Sequence, residues 1–576
     1  MSKVGRAQLR RSQYPQVEPG ARELAHATVA ICPAQATVAQ ALRTLGRRQA
    51  RFLGVKAKGR IGAVRPEDLR RAQAFGLTHL AVGELAWWSV PTVSGETSEA
   101  RVRRLLLAGA PVVLVRERGD VVAAVAPLRS GPGTRAGGAG TLSLAGRIER
   151  QLTEETLTFL RAVSRLAEPL RVRAYVAGGF VRDLLRTAPT QDVDLVVEGN
   201  GLALARRLCG QFGGSLVVHP AFGTASIEGW AGGRVDIATA RREGYARPGA
   251  LPTVTPARIE EDLARRDFTI NAMAVALTGP TFGQLVDPFG GQRDLKIRRI
   301  RTLHPLSFVE DPTRIFRAVR YATRLGFRID RGTRRCLSVA LSLTPYPALS
   351  GQRLLAELEL ILNEPGWEQS LPILGRLGAF RLLDRSYRFS QTAAGRLHDL
   401  AELLQWGREV GVVLDPLRLV LLCLVGHLPF QVAERCLRRL ALSGEPLARL
   451  LAALAEGPSV ARRLEDQAGA AASQRAAVLR ARTTETLGFA WLVGSKRALH
   501  QVQWFFDEGR GVCPRLRGED LLALGVSKGP AVSRLLHWLR DRRLDGQVSS
   551  REDEVRLVRG WMEGRDAAHS GTRQEE

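Results

Sequence analysis

Apolar and polar positions in the first part of the chain, from about residue 24 to residue 129, follow one pattern twice. Thr37 and Thr97, 60 positions apart, each follow a short strand-like run and open an amphipathic helix. Gly59 and Gly119 each lie in a hairpin-like turn between two apolar runs. The pattern predicts one small α/β domain present in two copies, each with the order strand, helix, strand, turn, strand, helix.

A glycine-rich run at 131–140 interrupts all periodicity, and helical and strand-like patterns then alternate up to about residue 277. Beyond Glu310 the spacing of leucines and alanines predicts helices almost throughout, as far as about Met562. We therefore expect an α+β multidomain chain that ends in an all-α region. The expected divisions are a basic segment at 1–23, the α/β tandem pair at 24–130, a glycine-rich linker at 131–150, a second α/β domain at 151–300, a helical segment at 301–365, a larger helical region at 366–565 and a polar tail at 566–576.

The composition of the chain predicts the kind of partner that it binds. The 576 residues contain 84 Lys and Arg against 57 Asp and Glu, so the formal net charge is +27, and 45% of the chain is hydrophobic. That hydrophobic content excludes wholesale disorder. The excess charge is mostly arginine and predicts a polyanionic partner, for which nucleic acid is the leading candidate because guanidinium groups match phosphate oxygens. An anionic membrane surface or a bias in arginine usage would give the same composition.

Other features of the composition concern location. The longest apolar stretch, near Leu419 to Gly426, is far shorter than a membrane span, and the basic N-terminus has no apolar core of the kind found in secretion signals. The six cysteines contain no CxxC pair and no metal-like spacing. We expect a soluble cytoplasmic protein with no membrane partner and with reduced, mostly buried thiols.

The most informative run begins at Gly178 and Gly179 and continues through Arg182 to Asp192 and Asp194. A Gly-Gly turn between a strand and a helix exposes backbone N–H groups to a triphosphate, and the helix N-terminus adds its positive dipole end. Aspartates two positions apart in a strand face the same side. Paired carboxylates suit Mg²⁺, which can lower the pKa of an attacking hydroxyl and neutralise a departing pyrophosphate. The run predicts a catalytic Mg²⁺ site at Asp192 and Asp194.

Three further blocks support this site: Arg-Arg-Asp-Phe-Thr-Ile-Asn-Ala at 265–272, Asp-Pro-Phe-Gly-Gly at 287–291, and the run from Glu310 to Arg320. With these blocks, in this order, the chain resembles the class II nucleotidyltransferases of the polymerase-beta superfamily. That family comprises the CCA-adding and A-adding tRNA nucleotidyltransferases and the bacterial poly(A) polymerases. The resemblance extends from about residue 152 to at least residue 362. It implies a polymerase-beta-like catalytic head at 151–300, a helical neck at 301–365 and a tRNA-binding body and tail at 366–565.

The resemblance also implies roles for residues that follow the catalytic aspartates. Arg266, Asp267 and Asn271 match the block that reads ribose in the family, and we expect them near the 2′-hydroxyl, where paired donors and acceptors reject deoxynucleotides. The block at 287–291 matches the hinge between head and neck. Together with Gly178, Gly179 and Arg182, these residues are expected to bind the nucleotide.

The block that begins at Glu310 matches the neck motif in which the protein itself acts as the template. On a helix, Asp311 and Arg314 occupy positions i and i+3 and lie on one face, where they offer acceptor and donor edges to a nucleobase. Glu310 can brace Arg314 through a charged hydrogen bond. Arg317, one turn further along, is assigned to the same nucleotide site.

Four further features bear on the metal site and on the choice between related activities. Asp236 lies in a strand-like run, either as a third acid near the metal or as an ordinary aspartate of an edge strand. The run 241–256 has the glycine and proline content of a mobile loop and corresponds to the family's flexible loop that helps to select ATP, which disfavours an enzyme restricted to adding CC. The segment 219–227 resembles the tRNA-directed members rather than the poly(A) polymerases, and the block at 518–526 resembles their tail.

The duplicated N-terminal domain resembles a tandem CBS pair, a module that can bind an adenine nucleotide between its two copies. Asp68 matches the acidic residue that holds ribose in that family, and the second copy, which ends with Val-Ala-Pro-Leu-Arg at 125–129, has no counterpart. One possible role is therefore an adenine nucleotide site. The other is a structural or RNA-contacting spacer with no bound nucleotide.

Taken together, the motifs predict an enzyme that adds CCA, or its terminal A, to tRNA 3′ ends from CTP and ATP, with Mg²⁺ as cofactor and release of pyrophosphate. Within enzymes, the alternative is a poly(A) polymerase that adds A tails to RNA. In another class, the alternative is a catalytically inactive RNA-binding protein regulated by its CBS pair.

Overall fold

The structure is a computed structural model of the chain, and it describes residues 21–24, 27–107, 109–126, 142–189, 192–230, 233–467 and 469–570, without the side chains of 107 and 564–570. Two compact units divide the chain, one at Met1–Leu349 and the other at Ser350–Glu576. The division falls inside the segment 301–365 that was expected to form one helical neck. Most of the predicted glycine-rich linker, up to residue 141, lies outside the described residues.

A six-stranded sheet with four helices occupies the start of the first unit. Its elements are β1 (Ala27–Pro33), α1 (Val38–Arg47), β2 (Phe52–Ala57), β3 (Arg60–Val64), α2 (Pro66–Ala74), α3 (Val82–Leu85), β4 (Thr92–Ser94), α4 (Glu99–Leu107), β5 (Val113–Glu117) and β6 (Asp120–Val125). The strand order is β3-β2-β1-β6-β5-β4. In each copy the first two strands are parallel and the last two antiparallel, which confirms the predicted repeat as far as the third strand. The final helix predicted for the second copy falls outside the described residues. We call residues 27–125 the tandem module; its CBS character stays a prediction.

The hairpin turns of the tandem module are also where the repeat predicted them. Lys58 and Gly59 connect β2 to β3 with φ values of 42° and 74°, and Arg118 and Gly119 connect β5 to β6 with φ values of 47° and 92°. Two positive φ values in a two-residue loop match the right-handed twist of the strands they join. Glycine stands at the second turn position in both copies because it adopts this backbone conformation without strain.

A seven-stranded sheet forms the centre of the α/β head. The elements from 145 to 300 are α5 (Ala145–Gln151), α6 (Glu154–Ala167), β7 (Arg173–Ala177), α7 (Gly179–Arg186), β8 (Val193–Glu198), α8 (Gly201–Phe212), β9 (Ser215–His219), β10 (Thr224–Trp230), β11 (Gly233–Thr239), β12 (Arg241–Gly244), β13 (Thr253–Pro256), α9 (Ile259–Ala264), β14 (Ala274–Ala276), β15 (Leu285–Val286), α10 (Gly291–Lys296) and β16 (Arg299–Ile300). The sheet order is β15-β14-β7-β8-β11-β10-β9. Leu144 and Ile148 are buried in the core beneath this sheet, so the head begins before residue 151.

The first unit ends with three helices and a short strand. These elements are α11 (Ser307–Glu310), α12 (Arg314–Leu325), β17 (Arg328–Ile329) and α13 (Arg331–Ser342). Strands β16 and β17 pair in parallel, and the pairing joins the last strand of the head to the strand that follows α12. α12 is amphipathic, with Ile315, Ala318 and Val319 buried on one face.

Every described element of the second unit is a helix, which confirms the predicted all-α region. The helices are α14 (Gly351–Leu362), α15 (Trp367–Leu377), α16 (Gln391–Glu409), α17 (Pro416–Val425), α18 (Phe430–Arg439), α19 (Gly444–Asp466), α20 (Ala472–Arg480), α21 (Thr484–Val493), α22 (Lys496–Asp507), α23 (Gly518–Ala523), α24 (Pro530–Leu544) and α25 (Arg551–Ser570). The last helix extends into the segment 566–576 that was predicted to be a polar tail. Among the described residues, none of the helices combines the length and apolar character needed to cross a membrane.

Candidate active site

The predicted Gly-Gly turn connects β7 to α7 at the centre of the head sheet. Gly178 is the N-cap of α7 and has a φ of 72°. A Cβ atom on Gly178 would lie 2.7 Å from Nη1 of Arg266 and 3.5 Å from Oδ2 of Asp194. Glycine is therefore required here both by the backbone conformation and by the close approach of two site residues. The turn therefore brings the start of α7 close to Asp194 of β8.

Asp192 and Asp194 lie at the start of β8, with Asp192 one residue before the strand. Val193 and Leu195 are buried on the opposite side, as the alternation of the strand predicts. In the described part of the chain, no hydrogen bond reaches either carboxylate. Burial raises the pKa of Asp194 to about 6, since the charge of Arg266 is offset by those of Asp236 and Asp192. This side of the sheet therefore carries negative charge that an external cation would balance.

Asp236 lies beside Asp194. Strands β11 and β8 are parallel, and Asp236 is the register partner of Asp194, so both side chains are on the same face. β11 lies between β8 and β10 in the sheet, so the interpretation of Asp236 as an aspartate of an edge strand is wrong. Its Oδ1 accepts hydrogen bonds from Ser226 Oγ at 2.5 Å and Arg234 Nε at 2.8 Å. Asp236 thus has a cation of its own.

The residues present fit Mg²⁺ at Asp192 and Asp194. Both offer hard carboxylate oxygens on one face of β8, and Mg²⁺ commonly takes one or two protein carboxylates and completes its shell with water and phosphate oxygens. Within the residues that the structure describes, no group of three acidic, histidine or cysteine side chains could hold a metal ion.

Four of the predicted nucleotide-binding residues form one hydrogen-bonded chain. Arg182 Nη1 donates to Asn271 Oδ1 at 3.0 Å, and Asn271 Nδ2 donates to Asp267 Oδ1 at 3.1 Å. Arg317 donates to Asp267 Oδ2 from Nε at 2.9 Å and from Nη2 at 2.7 Å. Although Asp267 is buried, the charge of Arg317 and the bond from Asn271 hold its pKa below the usual value. The chain fixes residues from α7, the 265–272 block and α12 relative to one another.

Arg266 lies between this series of hydrogen-bonded side chains and the aspartates of β8. Its Nε and Nη2 donate to Asp262 Oδ2 at 3.3 and 3.2 Å, and its Nη1 donates to the carbonyl oxygen of Asn271 at 3.4 Å. The Nη1 atom is the one that approaches Gly178. Asp262, which the sequence did not single out, therefore orients the cation nearest to Asp194.

The neck motif does not lie on one helix, so the prediction that Asp311 and Arg314 share a helix face is wrong. α11 ends at Glu310, Asp311 is extended with φ −137° and ψ 96°, and α12 begins at Arg314. Pro312 explains the break because proline disfavours the helical conformation in the residue before it. Asp311 Oδ1 accepts hydrogen bonds from the backbone N and the hydroxyl of Thr313 at 3.1 and 2.7 Å. The motif therefore spans the end of α11, a short turn that contains Asp311, and the start of α12.

Arg314 is 5% exposed and its guanidinium is fixed on several sides. Nη1 donates to Ser307 Oγ at 2.7 Å, and Nη2 donates to the carbonyl oxygen of Arg265 at 2.8 Å. Oε2 of Glu310 lies 4.0 Å from Nη1, which is an ion pair at long range and not the charged hydrogen bond that was predicted. The contact to the Arg265 carbonyl couples this residue of the neck to the 265–272 block of the head.

Glu310 is the acid on which this neck network depends. Its Oε2 lies 3.1 Å from His304 Nε2, and its Oε1 lies 2.7 Å from Arg71 Nε of the tandem module. Burial alone would favour the neutral form, but His304, Arg71 and Arg314 together lower the pKa of Glu310 to about 2. Burial and the charge of Arg71 in turn lower the pKa of His304. Glu310 is therefore an ionised, paired acid at neutral pH.

The segment 241–256, predicted to be a mobile loop, has more structure than expected. Its ends are the antiparallel strands β12 and β13, and only the tip between them is irregular. The tip contacts the neck: Gly249 N donates to the carbonyl oxygen of Glu310 at 3.1 Å, and Arg314 Nη2 donates to the hydroxyl of Tyr245 at 3.5 Å. Main-chain pairing, which composition does not reveal, therefore forms the hairpin, and the bonds of Gly249 and Tyr245 hold its tip against Glu310 and Arg314.

One ring surrounded by arginines was missed by the sequence analysis. The guanidinium carbons of Arg182, Arg317, Arg320 and Arg324 lie 5.5, 5.7, 5.2 and 5.1 Å from the centre of the Tyr321 ring. Three of these arginines occupy positions i, i+3 and i+7 of α12, so helical spacing contained the signal. Their summed charge, beside the chain that includes Asp267, suits the phosphates of a nucleotide.

Comparison with known proteins defines the class to which this fold and site belong. Residues 174–301 match the family described as the Poly A polymerase head domain. Over 438 residues the chain is 31% identical to the A-adding tRNA nucleotidyltransferase of Halalkalibacterium halodurans, a match that covers 73% of this chain and 96% of that protein. It is 34% identical to the A-adding tRNA nucleotidyltransferase of Geobacter sulfurreducens over 71% of this chain, and spans 48% of that relative's length.

Solved structures agree with this result. The apo form II of a CCA-adding enzyme superposes with a TM-score of 0.66 at 30% identity, over 73% of this chain and 99% of that chain. The Thermotoga maritima CCA-adding enzyme complexed with tRNA superposes with a TM-score of 0.62 at 29% identity, again over 73% and 99% of the two chains. The fold is that of a nucleotidyltransferase. The chain belongs to the tRNA nucleotidyltransferase family.

Proposed function

We propose that the chain transfers nucleotides from nucleoside triphosphates to the 3′ end of tRNA without a nucleic-acid template, and that the terminal A is the nucleotide it adds. The observation that carries the proposal is the placement of Asp192 and Asp194 beside the Gly178 turn, with the Asp267 and Glu310 networks adjoining it. The names of the Geobacter and Halalkalibacterium relatives favour the terminal A. Addition of the whole CCA end is the alternative.

In this proposal Asp192 and Asp194 hold Mg²⁺. When bound there, the metal supplies positive charge for the triphosphate and lowers the pKa of the attacking 3′-hydroxyl. The protein contributes position: the Gly178 turn directs backbone N–H groups towards the phosphates, and the arginines around Tyr321 extend the positive surface. The oxygen of the 3′-hydroxyl forms the new bond to the α-phosphorus as the bond to pyrophosphate breaks.

Selection of the base belongs to the neck. Arg314 and Asp311 offer donor and acceptor groups, and Arg314 is held in one orientation by Ser307 and the Arg265 carbonyl. A buried site with fixed hydrogen-bonding groups rejects a base that leaves those groups unpaired. This arrangement supports selection of the nucleotide by the protein.

The second unit has a surface suited to RNA. A cavity of about 530 Å³ is lined by Arg376, Arg381 and Arg388 together with the partly exposed ring of Phe389. Arginines pair with phosphates, and an accessible aromatic ring can stack on a base. We propose that tRNA contacts this cavity, in line with the net charge of +27. A bound adenine nucleotide at the tandem module stays a prediction from the CBS resemblance.

Incorporation assays with the purified chain and Mg²⁺ test the proposal. The RNAs are a tRNA lacking the CCA end, a tRNA ending in CC and an unrelated single strand, each with CTP, ATP or both. One A added only to the tRNA ending in CC supports the proposal. Three additions to the shortest tRNA would show full CCA addition, and long A tails on any RNA would show a poly(A) polymerase. Asp192→Asn is the inactive control, and Asp120→Asn, on the exposed end of β6, is the matched neutral one.

A further inference from the structure

The tandem module contacts the base-reading motif directly. Arg71, on α2 of the first repeat, lies with Nε 2.7 Å from Oε1 of Glu310, and its Nη1 lies 3.3 Å from Oδ1 of Asp68. One arginine therefore bridges an acid of the tandem module and an acid of the neck. Glu310 is 6% exposed and the Arg71 side chain 32% exposed, so the contact is partly shielded from water and stronger than a charged hydrogen bond between two fully exposed groups.

Asp68, the residue matched to the ribose acid of CBS pairs, is committed to this bridge. It is 0% exposed. Arg65 contacts both of its oxygens, with Nε 2.9 Å from Oδ2 and Nη2 3.1 Å from Oδ1, and Arg71 contacts Oδ1 as well. A carboxylate held by two arginines is oriented towards protein groups. Its position makes it a support for Arg71.

From Glu310 the contacts continue to the residues that face the base. Oε2 of Glu310 lies 3.1 Å from His304 and 4.0 Å from Nη1 of Arg314. We propose that Arg71 is a positioning residue for nucleotide selection: by holding one oxygen of Glu310, it leaves the other to His304 and fixes where Arg314 presents its donors. This inference rests on the proposed function of Arg314 and Asp311 in base reading.

Removal of Arg71 has a defined physical consequence. Glu310 would keep its burial but lose the cation on Oε1, and Arg314 is the nearest remaining guanidinium. A shift of Arg314 towards Glu310 would weaken its bonds to Ser307 Oγ and the Arg265 carbonyl, which set its orientation. A loosened donor edge accepts wrong bases more readily than a fixed one. The effect falls on selection among nucleotides more than on the chemistry at Asp194.

A second contact between the tandem module and α13 provides the matched control. Arg335 Nε lies 3.5 Å from Oε2 of Glu84, and its guanidinium carbon lies 5.5 Å from the centre of the Trp88 ring. This pair involves the same module but none of the residues around Glu310. Loss of Arg335 therefore tests docking of the module without changing the neck network.

The experiment compares the wild-type chain with Arg71→Met, Arg71→Lys and Arg335→Ala. Methionine keeps much of the apolar stem of Arg71, and lysine restores one positive donor. For each purified full chain we would measure kcat and KM for ATP, CTP, GTP and UTP on the tRNA that the wild type extends. Equilibrium binding of the four nucleotides without RNA is measured in parallel, with the thermal unfolding midpoint as a check of folding.

We expect Arg71→Met to lower the ratio of kcat/KM for the correct nucleotide over GTP by about tenfold, mostly through KM, since one charged hydrogen bond is lost. Arg71→Lys should restore part of that ratio, and Arg335→Ala should leave it unchanged. In a Glu310→Gln background, Arg71→Met should change this ratio little further, because both substitutions act through the same carboxylate.

The inference is overturned if Arg71→Met keeps the wild-type selectivity, or if Arg335→Ala changes it as much. If the wild type extends no RNA, the proposed function fails. The binding measurement then decides separately whether Arg71 sets preference among the free nucleotides. If Arg71→Met does not fold, Arg71→Lys decides: a single ammonium group cannot reproduce the guanidinium bridge between Glu310 and Asp68, so unchanged selectivity would also contradict the inference.

Discussion

Two acids of the first unit, the half-buried Asp194 on β8 and the buried Glu310 at the end of α11, have pKa values shifted in opposite directions. Burial raises the pKa of Asp194 to about 6, whereas His304, Arg71 and Arg314 overcome burial and lower that of Glu310 to about 2. The difference lies in the cations around each carboxylate. The charge of Asp194 is left for a ligand to neutralise, at the place where we expect the chemical step. The charge of Glu310 is neutralised by the protein itself, at the place where we expect recognition of the base.

Substitution of Asp194 should have the largest effect. Asp194→Asn removes a negative charge and a hard ligand, so we expect transfer to fall by about 10³-fold, similar to the loss of other groups that stabilise transition-state charge. The rate of single-nucleotide incorporation at saturating Mg²⁺ measures this. Folding should be preserved, since no described hydrogen bond to Asp194 is lost. Activity within tenfold of the wild type would show that Asp194 is not a metal ligand.

Substitution of Glu310 should instead affect stability. The pKa of Glu310 falls from 4.5 to about 2 on folding, which corresponds to about 3 kcal/mol of stabilisation at neutral pH. Because the folded pKa is the lower one, this contribution is fully present above pH 4.5 and is lost as the pH falls towards 2. Glu310→Gln should therefore lower the unfolding midpoint at pH 7 and have progressively less effect between pH 4.5 and 3. An equal effect at both ends would contradict the assignment.

A third prediction concerns the turn at Gly178, which lies close to Arg266 and Asp194. Gly178→Ala places a Cβ 2.7 Å from Arg266 Nη1 at a φ of 72°, and we expect a loss of stability of about 1–3 kcal/mol and a raised KM for nucleotide. Gly179→Ala is the matched control, since its Cβ would meet Arg182 Nη2 at 3.5 Å, an ordinary contact, and alanine favours a helix. Chemical denaturation and nucleotide titration separate the two variants. Equal behaviour would show that the close approach to Arg266 has no role.

The smallest effect is expected at Asp236, which has its own cation although it is the register partner of Asp194. Arg234 and Ser226 hold its carboxylate, and its side chain is 43% exposed. Asp236→Asn should therefore reduce transfer by less than about tenfold. A loss of activity comparable to that of Asp194→Asn, which a higher Mg²⁺ concentration partly restores, would instead make Asp236 a third ligand.

How far the sequence predicted these features depends on the distance between the residues involved. The Gly178 turn and the face shared by Asp192 and Asp194 follow from neighbours in sequence, since turn chemistry and the alternation of a strand are local. The break before Pro312 also has a local cause, since proline disfavours the helical conformation at Asp311, and this effect outweighs the helical spacing of Asp311 and Arg314. The hairpin at 241–256 was missed because strand pairing depends on partners rather than composition.

Contacts between distant segments had no pattern in the sequence. Arg182 and Asn271 were each assigned to the nucleotide site by resemblance, but nothing indicated that they bond to each other. The pair of Arg71 and Glu310 joins two domains that were interpreted separately, so neither residue could reveal the other. Asp68 shows the same limit: a match to a motif gives the residue type, and only the fold shows which groups surround it.

The pairing of Glu84 with Arg335 across 251 positions has a consequence for how the chain folds. During synthesis the ribosome releases the tandem module long before its partners on α11 and α13, so the charged face that includes Arg71 and Glu84 remains in water until more than half of the protein has emerged. Contacts of such high sequence separation form late and slowly, because the entropy of closing the intervening chain must be overcome first. Completion of the neck is therefore expected to be a late step of folding, which links the appearance of nucleotide selectivity to the arrival of the last segment of the first unit.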